Sequence, residues 1–403
     1  MCQHSTYFVL SAGSFMIKNT SRKEKNSLQE INVHNLHQAL TNYFNKSGER
    51  FHYEVITFAE IMSVIKRKSM YADVKWTDDQ NKEFEQYWQF HYGRKIYSGW
   101  HKIYESINNQ FCVQYIPEML FTTKIERLLN DYQYADVLAD KSLVETFAQA
   151  VGCHVPSTIL MRSKNIFYDH NRRPISYDRA CHIINENRDD IVIKPTIDSG
   201  SGRAVHFMTE DERAQIKTTL EGLGSDFIAQ EAIKQHPVFS SINPSSVNTL
   251  RVMTYIINDN IYHVPIALRM GTGNSRVDNI HAGGLVVGVL DNGKVLPKAY
   301  QLGYGDNKKS FTRHPATGVE FSNIVLPAID KVIETAYSVH SRFPRLGIAS
   351  WDFTVDEDNN PVFIEANLIN QSIWFPQIVH GKGGFGKNTS DLLKLIRHGK
   401  REV

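Results

Sequence analysis

The chain has 403 residues, of which 41% are apolar and 22% charged, and carries a formal charge of +2. That size allows two or three domains with a sizeable core, and the near balance of charge excludes a global field that would hold a nucleic acid or an anionic membrane. The four cysteines, Cys2, Cys112, Cys153 and Cys181, form no CxxC pair, which argues against a zinc site and a disulfide framework, and no run approaches the ~18 apolar residues of a membrane span. The expected setting is the cytoplasm, with any anion bound locally.

From Leu28 to about Asn130 the apolar spacing is helical, and Thr77 caps a polar-aromatic run carrying Phe84 and Trp88. At this spacing the aromatics Trp76, Trp88, Phe90, Tyr92, Tyr97, Trp100 and Tyr104 are better read as core than as a sugar-stacking platform. After Asp140 the texture changes. Lys141 to Val151 reads as a helix, and short strands then alternate with helices: Ser157–Met161, Ile191–Lys194, Ala204–Met208 and Phe227–Ala229. Further strands are expected over Leu250–Ile257, Ile261–Leu268, Gly284–Val289, Ala349–Val355 and Pro361–Ala366, with a long helix over Val325–Phe343. Turn chemistry at Asp259-Asn260, Asp291-Asn292-Gly293 and Asp358-Asn359-Asn360 predicts hairpins. The fold class is therefore α+β. Its parts are a helical N-terminal region over residues 1–135, a subdomain over 136–225 with a glycine-rich loop, and a subdomain over 226–403 with a metal site.

Ile191-Val192-Ile193-Lys194-Pro195 leads into Asp198-Ser199-Gly200-Ser201-Gly202-Arg203 and then Ala204-Val205. A lysine ending a strand before a small-residue loop suits a polyphosphate: the loop lays backbone amides along it, and the lysine adds a point charge. The glycines lead into a strand, which excludes a Rossmann loop. Downstream, Trp351-Asp352-Phe353 and Phe363-Ile364-Glu365-Ala366-Asn367 are apolar strands carrying isolated oxygen donors. Glu365 and Asn367 are two apart and share a strand face, and Asp352 on a paired strand meets them, a set that fits magnesium, with manganese as the alternative. Losing the Glu365 charge is expected to relieve carboxylate repulsion in the metal-free protein. Arg251 and Arg269 on successive strands, followed by Asn279 and Gly283-Gly284, would set cationic forks beside a transferring phosphoryl group. The sequence from Gly381 to Asn388 nearly spells a Walker A loop, but Asn388 replaces the hydroxyl residue and too little chain follows. It reads as a flexible glycine loop, with closure over the active site as its alternative use.

In this order the motifs resemble the ATP-grasp superfamily, most nearly the sugar-transfer-associated ATP-grasp proteins, with kinship to the α-L-glutamate ligases, over roughly Ile116 to Pro376. The resemblance implies ATP and Mg2+ as cofactors. Lys141 and Lys194 would contact phosphates and adenine, with Ser199, Gly200, Ser201 and Gly202 as the loop. Gln230, Glu231 and Ile233 would form the hinge at the adenine edge, Arg251, Arg269 and Asn279 would be catalytic, and Asp352, Glu365 and Asn367 would ligate metal. A helical region stands where many such ligases carry a Rossmann-like domain, so substrate selection does not transfer. The implied reaction is carboxylate–amine ligation through an acylphosphate on a small-molecule, amino-acid or sugar substrate, with cell-surface polysaccharide modification as the implied setting. The alternatives are a phosphotransferase and a non-catalytic ATP-binding partner. Neither nucleic acid nor a membrane span is expected, and the oligomeric state is open.

Overall fold

The computed structural model describes residues 54–187, 190–197, 205–273, 275–280, 283–302 and 308–399. The elements below belong to the unit Ile56–Val403. Thr77 opens the helix α1 (Asp78–His91) with a reciprocal cap: its hydroxyl accepts from Gln80 N, and the Gln80 side chain accepts from Thr77 N. Phe84 and Trp88, one turn apart, are the buried stripe of α1. A second amphipathic helix, α2 (Gly99–Asn108), buries Trp100, Ile103 and Tyr104. Trp76 is buried with them, whereas Phe90 and Tyr97 are exposed, so the aromatic run is core only in part. Residues 28–53 of the expected helical stretch lie outside the described residues.

Two antiparallel sheets follow. The smaller contains β1 (Thr158–Ser163), β2 (Ile166–Asp169), β3 (Pro174–Ile175), β4 (Ile191–Pro195), β5 (His206–Phe207) and β6 (Phe227–Glu231), in the spatial order β3-β2-β1-β6-β4-β5. Its core packs on the helix α3 (Tyr177–Glu186), whose inner face is Ala180, Cys181 and Ile184.

The larger sheet contains β7 (Thr249–Ile257), β8 (Asn260–His263), β9 (Ile266–Met270), β10 (Leu285–Val289), β11 (Val295–Leu302), β12 (Lys308–Phe311), β13 (Ile348–Val355) and β14 (Pro361–Asn367). The order is β12-β11-β10-β9-β7-β13-β14, with β8 paired to β7. The strand expected over Ile261–Leu268 is two strands, because Pro265 has no N–H for a ladder. The β7–β8 turn falls on Asn258 and Asp259, both at positive φ (48° and 60°). The long helix, α4 (Ile329–Ser341), begins later than its periodicity suggested. Pro327 disfavours helix before it, and Leu326 N instead donates to Gly293 O at 2.8 Å. Gly293 sits at φ +82°, and a Cβ there would lie 2.3 Å from Leu326 O.

Side chains alternate across β7 and separate the two faces of the large sheet. Leu250 and Val252 join Trp351, Phe353 and the inner face of α4 in one core. Met253, Tyr255 and Ile257 face the other way, against Trp76, Phe84 and Trp88. The same second face is covered further along by α2 and by α5 (Trp374–His380), through Ala267, Val286, Tyr300 and Leu302. The helical region thus shares its core with the sheet. The glycine loop ahead of α6 (Thr389–His398) is a packed connector, which corrects the reading of it as flexible or as a closing lid. A Cβ on Gly383 would lie 2.6 Å from Gln114 O, and buried Asn388 donates to the Tyr255 hydroxyl at 3.0 Å.

Candidate functional site

Asp352 lies at the centre of the site because β13 is flanked on both sides: Arg251 of β7 and Glu365 of β14 are its direct cross-strand partners. Its carboxylate is 1% exposed. Arg251 donates from Nε to Oδ1 at 2.5 Å and from Nη2 to Oδ2 at 3.1 Å. Arg269 Nη2 donates to Oδ2 at 3.0 Å, and Asn367 Nδ2 reaches the same oxygen at 3.3 Å. Burial alone would push the Asp352 carboxyl up, but Arg251 and then Arg269 beside it hold it below the ordinary carboxylate range.

Arg269 has a second carboxylate partner, Asp278 Oδ2 at 3.2 Å. Burial works against its charge, and Asp278, Asp352 and Glu365 more than offset that, leaving it firmly protonated. Its Nε is buried and donates to no protein acceptor. That donor is left for a partner from outside the protein, water or an anionic oxygen.

Lys141 and Lys194 reach the same cluster from the other side. Lys141 Nζ lies 3.2 Å from Glu365 Oε2, and the backbone N–H of Lys141 donates to Thr196 O, just past the end of β4. Lys194 sits on β4 opposite Ile228. Burial pulls its ammonium down to about 8, with Glu365 and Asp352 opposing and Lys141 adding to the fall. Four cations, Lys141, Lys194, Arg251 and Arg269, therefore stand against three carboxylates, Asp278, Asp352 and Glu365, an excess that suits a polyanion.

Magnesium takes hard oxygen ligands and usually completes its shell with phosphate oxygens and water. Among the described residues no group of three His, Cys, Asp or Glu forms an all-protein cage. Asp352, Glu365 and Asn367 bring two carboxylates and an amide to neighbouring positions on β13 and β14, oxygen donors of the kind magnesium takes, with both Asp352 oxygens already accepting from arginines.

The remaining sequence-derived positions are placed as follows. Ser199, Gly200, Ser201 and Gly202 lie outside the described residues. Gln230 is buried, its Nε2 donating to Pro156 O at 3.1 Å, so its amide donor is used inside the small sheet. Glu231 N donates to Ser157 O, and Ile233 is half-buried beyond the strand end. Asn279 O accepts from Gly284 N at 2.9 Å, and Gly283 is at φ +89°. Two site residues were missed by sequence reasoning. Asp278 was visible only as an acid beside Asn279, and Phe375, whose ring lies 5.7 Å from the Arg251 guanidinium, carries no sequence signal beyond its place in an apolar helix.

Among the described residues no helix is long and apolar enough to cross a membrane. No curated protein matches the sequence. Similar solved structures include the L-amino acid ligase from Bacillus licheniformis, at 14% identity, 60% of this chain, 42% of that one and a TM-score of 0.33. D-alanyl-alanine synthetase A from Vibrio cholerae O1 biovar eltor str. N16961 is similar at 14% identity, 67% of each chain and 0.42. The N5-carboxyaminoimidazole synthetase from Staphylococcus aureus, complexed with ADP, is similar at 12% identity, 68% of this chain, 55% of that one and 0.39. The chain spans less than two thirds of the first and third of these. The family described as sugar-transfer associated ATP-grasp matches residues 120–391, more than half of the chain and the stretch that holds every charged group of the cluster above. The protein belongs to that family, and its two antiparallel sheets preceded by a helical region are an ATP-grasp fold.

Proposed function

We propose that the protein is a Mg-ATP-dependent carboxylate–amine ligase working through an acylphosphate. The observation that carries this reading is the convergence of Lys194, on the small sheet, with Lys141, Arg269, Asp352 and Glu365 on one charged cluster, together with the orphan Nε of Arg269. Lys141 and Lys194 would hold phosphate charge, and the Arg251 and Arg269 forks, fixed in advance by Asp352 and Asp278, would meet charge that develops during transfer. Magnesium, held by Asp352, Glu365 and Asn367, would supply further neutralisation of the phosphate oxygens. A carboxylate oxygen of the substrate bonds to the γ-phosphorus as the bond to the β–γ bridging oxygen breaks. An amine nitrogen then bonds to the acyl carbon, loses a proton, and phosphate leaves. Water must be excluded at that stage, and the covered sheet face beside the cluster supports such shielding. A cytoplasmic setting would supply the nucleotide.

The test is ATP-dependent phosphate release, screened over carboxylate and amine pairs drawn from amino acids, uronic acids and amino sugars. Release that requires both partners and yields an amide supports ligation. Phosphate retained covalently on a single acceptor would instead make the protein a phosphotransferase. A folded protein that binds ATP but never turns it over would leave only a binding role.

A further inference from the structure

A cavity of about 470 Å³, within the usual range of small-molecule sites, opens on the same sheet face as Arg251 and Asp352, beneath α2 and α5. Two observations join it to the charged cluster. Gln371, one of its walls, receives a hydrogen bond at 2.8 Å from the Ser350 hydroxyl, two residues before Asp352 on β13. Trp374, another wall, precedes the Phe375 ring that lies against Arg251.

Its ionisable lining differs in kind from that of the neighbouring cluster. Among the lining residues Glu60 and Glu118 are carboxylates and Arg67 is the single cation. Arg67 acts on Glu60, whose pKa is raised by burial all the same. The chief charges acting on Glu118 are Glu60 and Glu126, both negative, and burial first and then these neighbours push it up to about 8. Ile373 N donates to Glu118 Oε2 at 3.2 Å, and the Ser372 hydroxyl also reaches it, which anchors the carboxylate without neutralising it. Trp100, Trp374 and aliphatic side chains supply the remaining wall. Burial holds both carboxyls protonated to higher pH than is usual, a state that a neutral polyol or a carboxylate does not reverse. An ammonium group draws them into their ionised forms and pairs with them, and its carbon body gains from the aromatic faces.

We propose that this cavity binds the amine substrate, seating a primary ammonium group between Glu60 and Glu118 and its carbon body against Trp100 and Trp374. The role of that amine as nucleophile rests on the ligase reading above. The carboxylate and the triphosphate would then be held by the cationic cluster, and the amine in the glutamate-lined cavity beside it.

The experiment is calorimetric titration of the full chain, without nucleotide, with three isosteric pairs: tryptamine and tryptophol, phenethylamine and phenethyl alcohol, glucosamine and glucose. At least one amine should bind at least tenfold more tightly than its alcohol. Glu118→Gln should remove most of that preference. Because Glu118 also holds Ile373 N, Glu60→Gln serves as a second variant, and thermal melts confirm that each is folded. Equal binding of amine and alcohol, or an amine preference unchanged in both folded variants, overturns the proposal. Phosphate release measured on the same samples separates the two readings. Amine binding lost in Glu118→Gln, without any amine-stimulated turnover in the unaltered protein, upholds the cavity and removes the ligase reading. Amine-stimulated turnover unaffected by both substitutions upholds the ligase and removes the cavity.

Discussion

Arg251 and Asp352 face each other directly across β7 and β13, and the guanidinium donates to both carboxylate oxygens from a pair that is almost wholly buried, at 8% and 1% side-chain exposure. Lysine in place of Arg251 keeps the charge and loses the two-pronged geometry. Arg251→Lys is expected to lower turnover at least tenfold while ATP affinity changes less, and to destabilise the apo protein by roughly 1–3 kcal/mol. Steady-state kinetics beside nucleotide titration check this. Equal loss in both parameters would make Arg251 a ground-state binding group.

Lys194 reaches the cluster from β4, where burial works against its charge, and it is Lys141 that lies 3.2 Å from Glu365. Lys194→Ala should therefore weaken ATP binding about tenfold or more, through loss of a charge-assisted contact, with the apo melting temperature unchanged or raised. Calorimetric titration with ATP gives the answer. Unchanged affinity in a folded variant removes Lys194 from the phosphate site.

Glu365→Gln tests the metal assignment, and the structure changes its expected signature. Relief of repulsion from its cross-strand partner Asp352 is opposed by loss of the attraction between Glu365 and Lys141, 3.2 Å away, and by loss of its action on Lys194 and Arg269. Removing its charge leaves cations in excess. The apo protein should lose about 1 kcal/mol, turnover should collapse, and the stabilisation by Mg-ATP over ATP alone should shrink. Thermal melts with ATP, with and without magnesium, provide the readout. A preserved magnesium effect means that the metal is held elsewhere.

Stability should fall between pH 6.5 and 8. Burial pushes Glu126 up to about 7, against hydrogen bonds from Tyr132, Gln371 and Asn370, and burial pushes Glu118 up to about 8. A carboxyl whose folded pKa is raised contributes stability that is full below its unfolded value and is lost as pH rises through the folded one. Buried His101 and His380, lowered to about 3 and about 4 by burial, act oppositely, losing stability only below their unfolded value near 6.5. They offset the glutamates at acid pH and fall silent above it. Denaturant unfolding at the two pH values should differ by on the order of 1–2 kcal/mol, given about 1.4 kcal/mol per unit for each group. A flat or rising profile across that window would contradict the buried-glutamate account.

The elements easiest to read from sequence were those whose local chemistry agrees with their tertiary setting. Thr77 announces α1, and the apolar run through Trp351 announces β13, buried along its whole length. Glu365 and Asn367 were legible as a pair because a strand returns every second residue to one face, and that periodicity extends across the ladder to Asp352. The length of α4 was misread because the stretch before Ala328 has helical apolar spacing but spends its backbone N–H on Gly293. Asp278 and the cavity carboxylates left no local trace. Their meaning comes from Arg269, Ser372 and Ile373, which meet them only after the chain has folded.

The packing of Trp76, Phe84 and Trp88 on Met253, Tyr255 and Ile348 bears on how this protein can be divided. The stretch held in common with the family, residues 120–391, excludes α1, α2 and the last turns of α6, yet it contains the sheet surface those helices cover. A fragment trimmed to the shared stretch would expose a contiguous greasy face and should aggregate when expressed. The segment that the family matches is therefore not the segment able to stand alone.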